Sequence, residues 1–245
     1  MDLKGKAIVV TGATGGIGRE LVKELDKEDA RLLLVSKTES ELQNLLSKLE
    51  RKENKCYLCD LSNQKETETL AKKISAEVGK VDILINAAGI GIYKPIEGTT
   101  LDDWNTSMNI NVSSHFILIK GLAEILKRSE NSLVLSIGSG AGVIPMAGRS
   151  IYCATKFAVR GLTLSLAEEF RGSNTHFCLI TLGSTLTSFG PMSFEEKKKE
   201  MESGKAYFTP EWVAKKLVDI IKDEARETEY TLYPGDYSQE WKGKP

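Results

Sequence analysis

Tyr152 and Lys156 stand four residues apart in a stretch of helical composition and length, residues 151–171, which sets them on one helix face a single turn from each other. A phenol with a pKa of about 10 is a poor proton carrier at neutral pH, but an ammonium beside it favours the phenolate and lowers that value. The pair can therefore act as a general acid or base. A tyrosine and lysine at this spacing recur by chance, so their weight comes from a second feature. After the apolar run 7–10 the chain reads Thr11-Gly12-Ala13-Thr14-Gly15-Gly16-Ile17-Gly18 and enters the helical segment 17–27. In that context Gly12 permits a tight turn, Gly16 lets backbone approach a pyrophosphate, and Gly18 allows helix and strand to pack closely. The helix N-terminus then faces the anion, so this turn, with Thr14, Gly15 and Ile17, is predicted to hold a dinucleotide. A carboxylate for the ribose 2′-hydroxyl belongs about 20 residues further on. Instead the next apolar run ends in Val35-Ser36-Lys37-Thr38. One positive charge and two hydroxyls suit a 2′-phosphate, which favours NADP(H) over NAD(H).

The elements that must position these groups show as short, continuous apolar runs at 7–10, 32–35, 81–85, 133–137 and 177–181, as expected of strands buried on both faces. Helical segments at 17–27, 39–53, 64–78, 101–127 and 151–171 alternate with them, and Pro210 opens another. This order predicts a doubly wound α/β Rossmann fold, a mostly parallel sheet with helices on both faces. No linker, low-complexity tract or repeat divides residues 1–245, so a single NAD(P)-binding domain is expected, with a segment at about 184–208 covering the site. Of the 245 residues 41% are hydrophobic, and 33 Lys and Arg balance 34 Asp and Glu, which leaves no positive field for nucleic acid or a membrane surface. The start lacks the apolar stretch of a signal peptide and no window reaches the 18 or so apolar residues of a spanning helix, so a cytoplasmic protein is expected. Four scattered cysteines fit free thiols in a reducing compartment.

With the glycine turn and Tyr152-Cys153-Ala154-Thr155-Lys156 in place, the chain resembles the short-chain dehydrogenase/reductase family, and further matches follow in order. The family's serine falls on Ser139 in Ser136-Ile137-Gly138-Ser139, at the usual interval before the tyrosine and in preference to Ser136. Its asparagine falls on Asn111, with Asn109 the weaker reading. Asn86-Ala87-Ala88-Gly89 matches the motif after the fourth strand, and Asp60-Leu61 the adenine-contacting pair after the third. The resemblance implies that Ser139 and Tyr152 hydrogen-bond a substrate carbonyl oxygen and that Tyr152 delivers the proton. It also implies that Lys156 holds nicotinamide ribose hydroxyls and that Asn111 orients a water leading protons out. Where the family carries Pro-Gly this chain has Leu182-Gly183, which predicts a less rigid loop. Gly183, Thr185 and Thr187 keep the expected cofactor contacts. Family members pair two long helices, here 101–127 and 151–171, so a homodimer or homotetramer is expected.

Other residues read as structural. Cys56 and Cys59 point to opposite faces of a strand and lack partners for a metal, and no metal is expected. His115 and His176 stand without a nucleophile elbow, which argues against a hydrolase. Lys197-Lys198-Lys199, flanked by glutamates, reads as a solvated, mobile helix. The segments 90–93, 143–146 and 188–208 border the substrate, with Ile92, Val143, Ile144, Met146, Phe189 and Met192 giving an apolar lining. The expected activity is NADP(H)-dependent reduction of a small or medium ketone or aldehyde, or the reverse oxidation. A 3-oxoacyl thioester (acyl carrier protein) reductase is the alternative enzyme, although the close of the chain, Tyr230 onward, departs from many such reductases. From another class, a non-catalytic dinucleotide sensor is opposed by the filled tetrad. The aromatic tail around Trp241 carries no assigned role.

Overall fold

A computed structural model describes residues 1–237; the tail around Trp241 lies outside them. Seven parallel strands form one sheet in the order β3-β2-β1-β4-β5-β6-β7. These are β1 (Ala7–Thr11), β2 (Arg31–Ser36), β3 (Lys55–Leu58), β4 (Ile83–Asn86), β5 (Ser132–Ile137), β6 (Thr175–Leu182) and β7 (Glu229–Leu232). The strand residues alternate between two cores, which is why the runs are continuous rather than alternating in polarity. Ile8, Val10, Leu32, Leu34, Ile83 and Ile85 face α1 (Gly16–Lys27), α2 (Glu39–Leu46) and α8 (Pro210–Lys222). Val9, Leu33, Val35, Leu84 and Val134 face α3 (Gln64–Val78) and α5 (Ser114–Leu126). Cys56 and Cys59 fall against these two different cores, and all four cysteines are free. No helix among the described residues is long and apolar enough to cross a membrane.

Three elements differ from expectation. The second helix stops at Leu46, not at residue 53, because the chain beyond is tied to the α1–β2 turn: Asp26 accepts from the Glu50 amide, Arg51 reaches Asp29, and Asn54 accepts from the Leu32 amide. The 101–127 helix is broken into α4 (Leu101–Met108) and α5 by a π-helical segment, Asn109–Ser113. Such single-turn bulges gather at functional sites. Finally, β7 extends the sheet although only its Leu232 is fully buried. A four-residue edge strand with polar side chains has no apolar run to announce it.

Strand order reverses between β1 and β4, and a crevice opens beyond their carboxyl ends, the place where doubly wound sheets bind ligands. Thr11, the last residue of β1, accepts the Ala87 and Ala88 amides on its hydroxyl at 3.1 Å each, so the turns after the two strands are joined by one side chain. Gly12 sits at φ +65°, and a Cβ there would lie 2.8 Å from the Ala88 Cα. Gly18 is tighter still, with a built Cβ 2.1 Å from the Gly12 carbonyl oxygen. Gly18→Ala must therefore push α1 away from the turn. It is expected to destabilise the protein by about 1–3 kcal/mol, the usual range for overpacking, and to lower the thermal midpoint accordingly. An unchanged midpoint would show that the turn yields freely.

Candidate active site

The first turn of α1 leaves its amides unclaimed by the protein. Its N-cap, Gly15, offers no capping side chain and no carboxylate occupies the turn, so the first amides have no local acceptor. Gly16 has a neighbour that the sequence did not suggest: a Cβ there would lie 2.6 Å from Thr187 Cγ2, so the glycine lets the segment after β6 close against the turn. At the end of β2 the Thr14 and Ser36 hydroxyls are 2.7 Å apart, and exposed Lys37 follows. Asp60 is held below the ordinary carboxylate range, first by the Ser62 amide and hydroxyl and then by the charge of Lys37. Leu61 and Asn86 turn inward: Leu61 joins the core, and Asn86 is fully buried in register with Ser136, its amide without a protein partner. Ala87, Ala88 and Gly89 line the cleft.

Three of the four residues of the predicted tetrad converge there. Ser139 and Tyr152 line a cleft of about 550 Å³ together with Lys156, Gly183, Thr185 and Thr187. Ser139 follows β5 and its Oγ accepts the Ala141 amide at 3.2 Å, the cap of a short 3₁₀ turn (Gly140–Gly142). Tyr152 and Lys156 belong to α6 (Ser150–Glu169), as their spacing required. Lys156 is buried, donates to the Ile137 carbonyl at 2.8 Å, and lies 5.8 Å from the centre of the Tyr152 ring. Asn111 is the asparagine that faces inward. Its amide donates to the Ile90 carbonyl (2.9 Å) and to Thr155 Oγ1 (3.0 Å) and accepts from the Ile90 amide (2.8 Å), pinning the loop after β4. Asn109 instead bonds Gln64 and Ser62 at the surface.

The electrostatics differ from those expected of the isolated pair. Burial pushes the Tyr152 phenol well above its ordinary value and Tyr93 adds to the shift, while the Ser139 hydroxyl and the Arg149 guanidinium pull it down. The phenol is therefore a neutral donor in this state. Burial lowers Lys156 itself to about 8. His115, the histidine read as idle, lies fully buried near Lys156; burial first and then that charge hold it neutral, at about 3.

The end of the cleft around Tyr93 and Phe189 is more aromatic and more basic than predicted. Tyr93 meets Tyr152 edge-on at 5.4 Å and Phe189 lies 5.7 Å away. Ile144, Met146 and Met192 line the cleft, but Ile92 and Val143 are not part of its wall. Lys197 corrects the reading of its charge run. On α7 (Phe194–Glu202) it is buried, not solvated, and donates to the Thr187 and Phe189 carbonyls, fastening the helix over the site. A buried lysine inside a charged run has the same local sequence as an exposed one. Nor is the Leu182-Gly183 loop loose. Gly183 donates to the Leu232 carbonyl (2.8 Å), and Leu186 and Phe208 are bound across the strap, so backbone pairing braces what a proline does not.

Comparison with known proteins agrees with this geometry. The family model described as short chain dehydrogenase matches residues 6–198. D-threitol dehydrogenase of Mycolicibacterium smegmatis is 27% identical over 230 residues, 91% of this chain and 88% of that protein. A tropinone reductase homologue of Arabidopsis thaliana is 34% identical over 207 residues, 82% and 76% of the two chains. Among solved structures, a short chain dehydrogenase from Burkholderia cenocepacia in complex with NADP superposes with a TM-score of 0.84 at 24% identity, covering 96% of this chain and 98% of that one. A short chain dehydrogenase/reductase from Burkholderia phymatum in complex with NAD gives 0.82 at 21% identity, over 98% and 92%.

The lysine at the centre of the site carries a stability cost with a defined pH window. Its folded pKa, about 8, lies below the ordinary 10.5, so the folded state excludes a proton and stability rises as pH climbs between those values. Lys156→Met is expected to be more stable than the parent at pH 7 by about 1–3 kcal/mol, or several degrees in melting midpoint, with the gap closing above pH ~8. A parent at least as stable as the variant at pH 7 would show that the ammonium is fully compensated.

Proposed function

Because the chain belongs to the short-chain dehydrogenase family, we propose that it is an NADP(H)-dependent oxidoreductase that moves a hydride between the nicotinamide and the carbonyl or alcohol carbon of a small molecule. The observation that carries this reading is the meeting of Ser139, Tyr152 and Lys156 in one cleft, beside the glycine turn and at the point where strand order reverses.

The residues present fit the cofactor. The uncapped amides of α1 suit a pyrophosphate, and the room left by Gly12 and Gly18 keeps the turn close to the sheet. Ser36, Lys37 and Thr14 supply hydroxyls and a positive charge for a 2′-phosphate, and no acidic side chain stands at Ser36, Lys37 or Thr38. Ala87, Ala88, Gly89, Gly183, Thr185 and Thr187 wall the nicotinamide end. When bound, the nicotinamide supplies or accepts the hydride.

The chain's own groups do the rest. The Ser139 and Tyr152 hydroxyls donate to the substrate oxygen and stabilise the charge that grows there. Tyr152, kept neutral by its burial, holds the proton that the oxygen takes up in the reductive direction. Lys156 supplies ammonium donors for ribose hydroxyls. Asn111, whose amide is committed to Ile90 and Thr155, positions the wall of the cleft. Phe116 and Phe157, on α5 and α6, stand 50% and 46% exposed, which supports a homo-oligomer built on those helices. We read the chain as a single-domain cytoplasmic enzyme.

Oxidation of NADPH across a panel of ketones, aldehydes and 3-oxoacyl thioesters, with NADH in parallel, tests the reading; turnover of none of them would overturn it. Tyr152→Phe is expected to lower turnover by about 10²–10⁴-fold while NADPH still binds. For Lys37→Asp the preference for NADPH over NADH is expected to fall by about tenfold, and an unchanged ratio of affinities would remove Lys37 from cofactor choice.

A further inference from the structure

Four cationic side chains line the cleft, Arg149, Lys156, Lys197 and Lys205, and among the described residues no carboxylate does. Three of the four are satisfied by the protein. Lys156 donates to Ile137, Lys197 to the Thr187 and Phe189 carbonyls, and Lys205 pairs with Glu200 at 2.7 Å.

Arg149 is different. It is half-buried just before α6, and none of the ion pairs among the described residues includes it. Its guanidinium lies over the Tyr93 ring, 4.5 Å from the centroid, and one nitrogen points at the Met146 sulfur at 3.5 Å, a weak acceptor. The same Tyr93 ring packs on Tyr152, so the guanidinium and the reacting phenol share one aromatic partner, and the charge is felt at the phenol. A half-buried cation is costly when no anion faces it. Stacked on a ring, a guanidinium keeps its planar fork free, the geometry that matches a carboxylate with two parallel bonds. A single free guanidinium balances one negative charge, which favours a carboxylate over a phosphate.

We propose that Arg149 is the specificity residue of this cleft and that the substrate is an oxo or hydroxy acid, its carboxylate on Arg149 and its reacting carbon at Ser139 and Tyr152. The assignment rests on the hydride-transfer reading given above and narrows it from carbonyl compounds in general to those bearing an acid group. The aromatic rings of Tyr93 and Phe189 then pack on the carbon chain between the two ends.

The test compares 4-oxopentanoate and 5-oxohexanoate with their methyl esters, which keep the ketone and remove the charge. With the NADPH-loaded protein, kcat/KM for at least one acid is expected to exceed that of its ester by about tenfold or more, the worth of a hydrogen-bonded charge. In Arg149→Gln the acid-to-ester ratio is expected to fall to near one, mainly through KM, and Arg149→Lys to fall between. Esters that match their acids in the parent, or a ratio that Arg149→Gln leaves unchanged, overturn the proposal. Calorimetric binding of the same compounds to NADP-loaded Tyr152→Phe separates the two readings. Acids that bind better than esters, with no turnover of either by the parent, support Arg149 and remove the hydride transfer; equal binding of acid and ester removes Arg149.

Discussion

The hydrogen bond from the Lys156 ammonium to the Ile137 carbonyl runs from α6 to the last residue of β5, and both residues are buried at the floor of the cleft. Burying a charge is expensive, and here the cost is borne to fix distance. The bond holds α6 against the carboxyl end of the sheet, and Tyr152, one turn earlier on the helix, is held with it. Ser139, two residues beyond Ile137, is carried by the same strand end. Two groups on one helix and a third beyond a strand end thus share one anchor. Close packing backs it up: a Cβ on Gly142 would lie 2.7 Å from the Lys156 carbonyl oxygen, so helix and turn have no slack between them.

Much of this arrangement was legible in the residues. Continuous apolar runs announced the buried strands, and the turn from Thr11 to Gly18 announced itself by glycines whose missing side chains the packing requires. The Tyr152–Lys156 spacing placed both on one helix face. What the residues left out was decided by neighbours distant in sequence. The end of α2 depends on Asp26 and Asp29, which bind Glu50 and Arg51 more than twenty positions further on, and β7 depends on an available edge of β6. Lys197 is buried because two carbonyls of the strap meet it, and nothing in its run of charges distinguishes it from Lys198.

The charge state of Tyr152 shows the same limit. Spacing alone brings a cation near the phenol and suggests a lowered pKa, yet the three-dimensional surroundings raise it, because Tyr93 and Phe189 close off solvent. Desolvation outweighs a charge whose nitrogen is 5.8 Å from the ring centre. The lysine and the tyrosine each settle in the form that burial prefers or moves toward, and the shared cost keeps the pair poised for a partner that brings polar groups of its own.

The bracing of Gly183 by Leu232 and Pro234 sets an order in time. The strap over the cleft leans on β7, the last strand among the described residues, while the rest of the sheet is encoded earlier. During synthesis the glycine turn, Ser139, Tyr152, Lys156 and the first six strands all leave the ribosome before the residues that steady the strap. The support of the strap is therefore encoded C-terminal to every group that the strap covers.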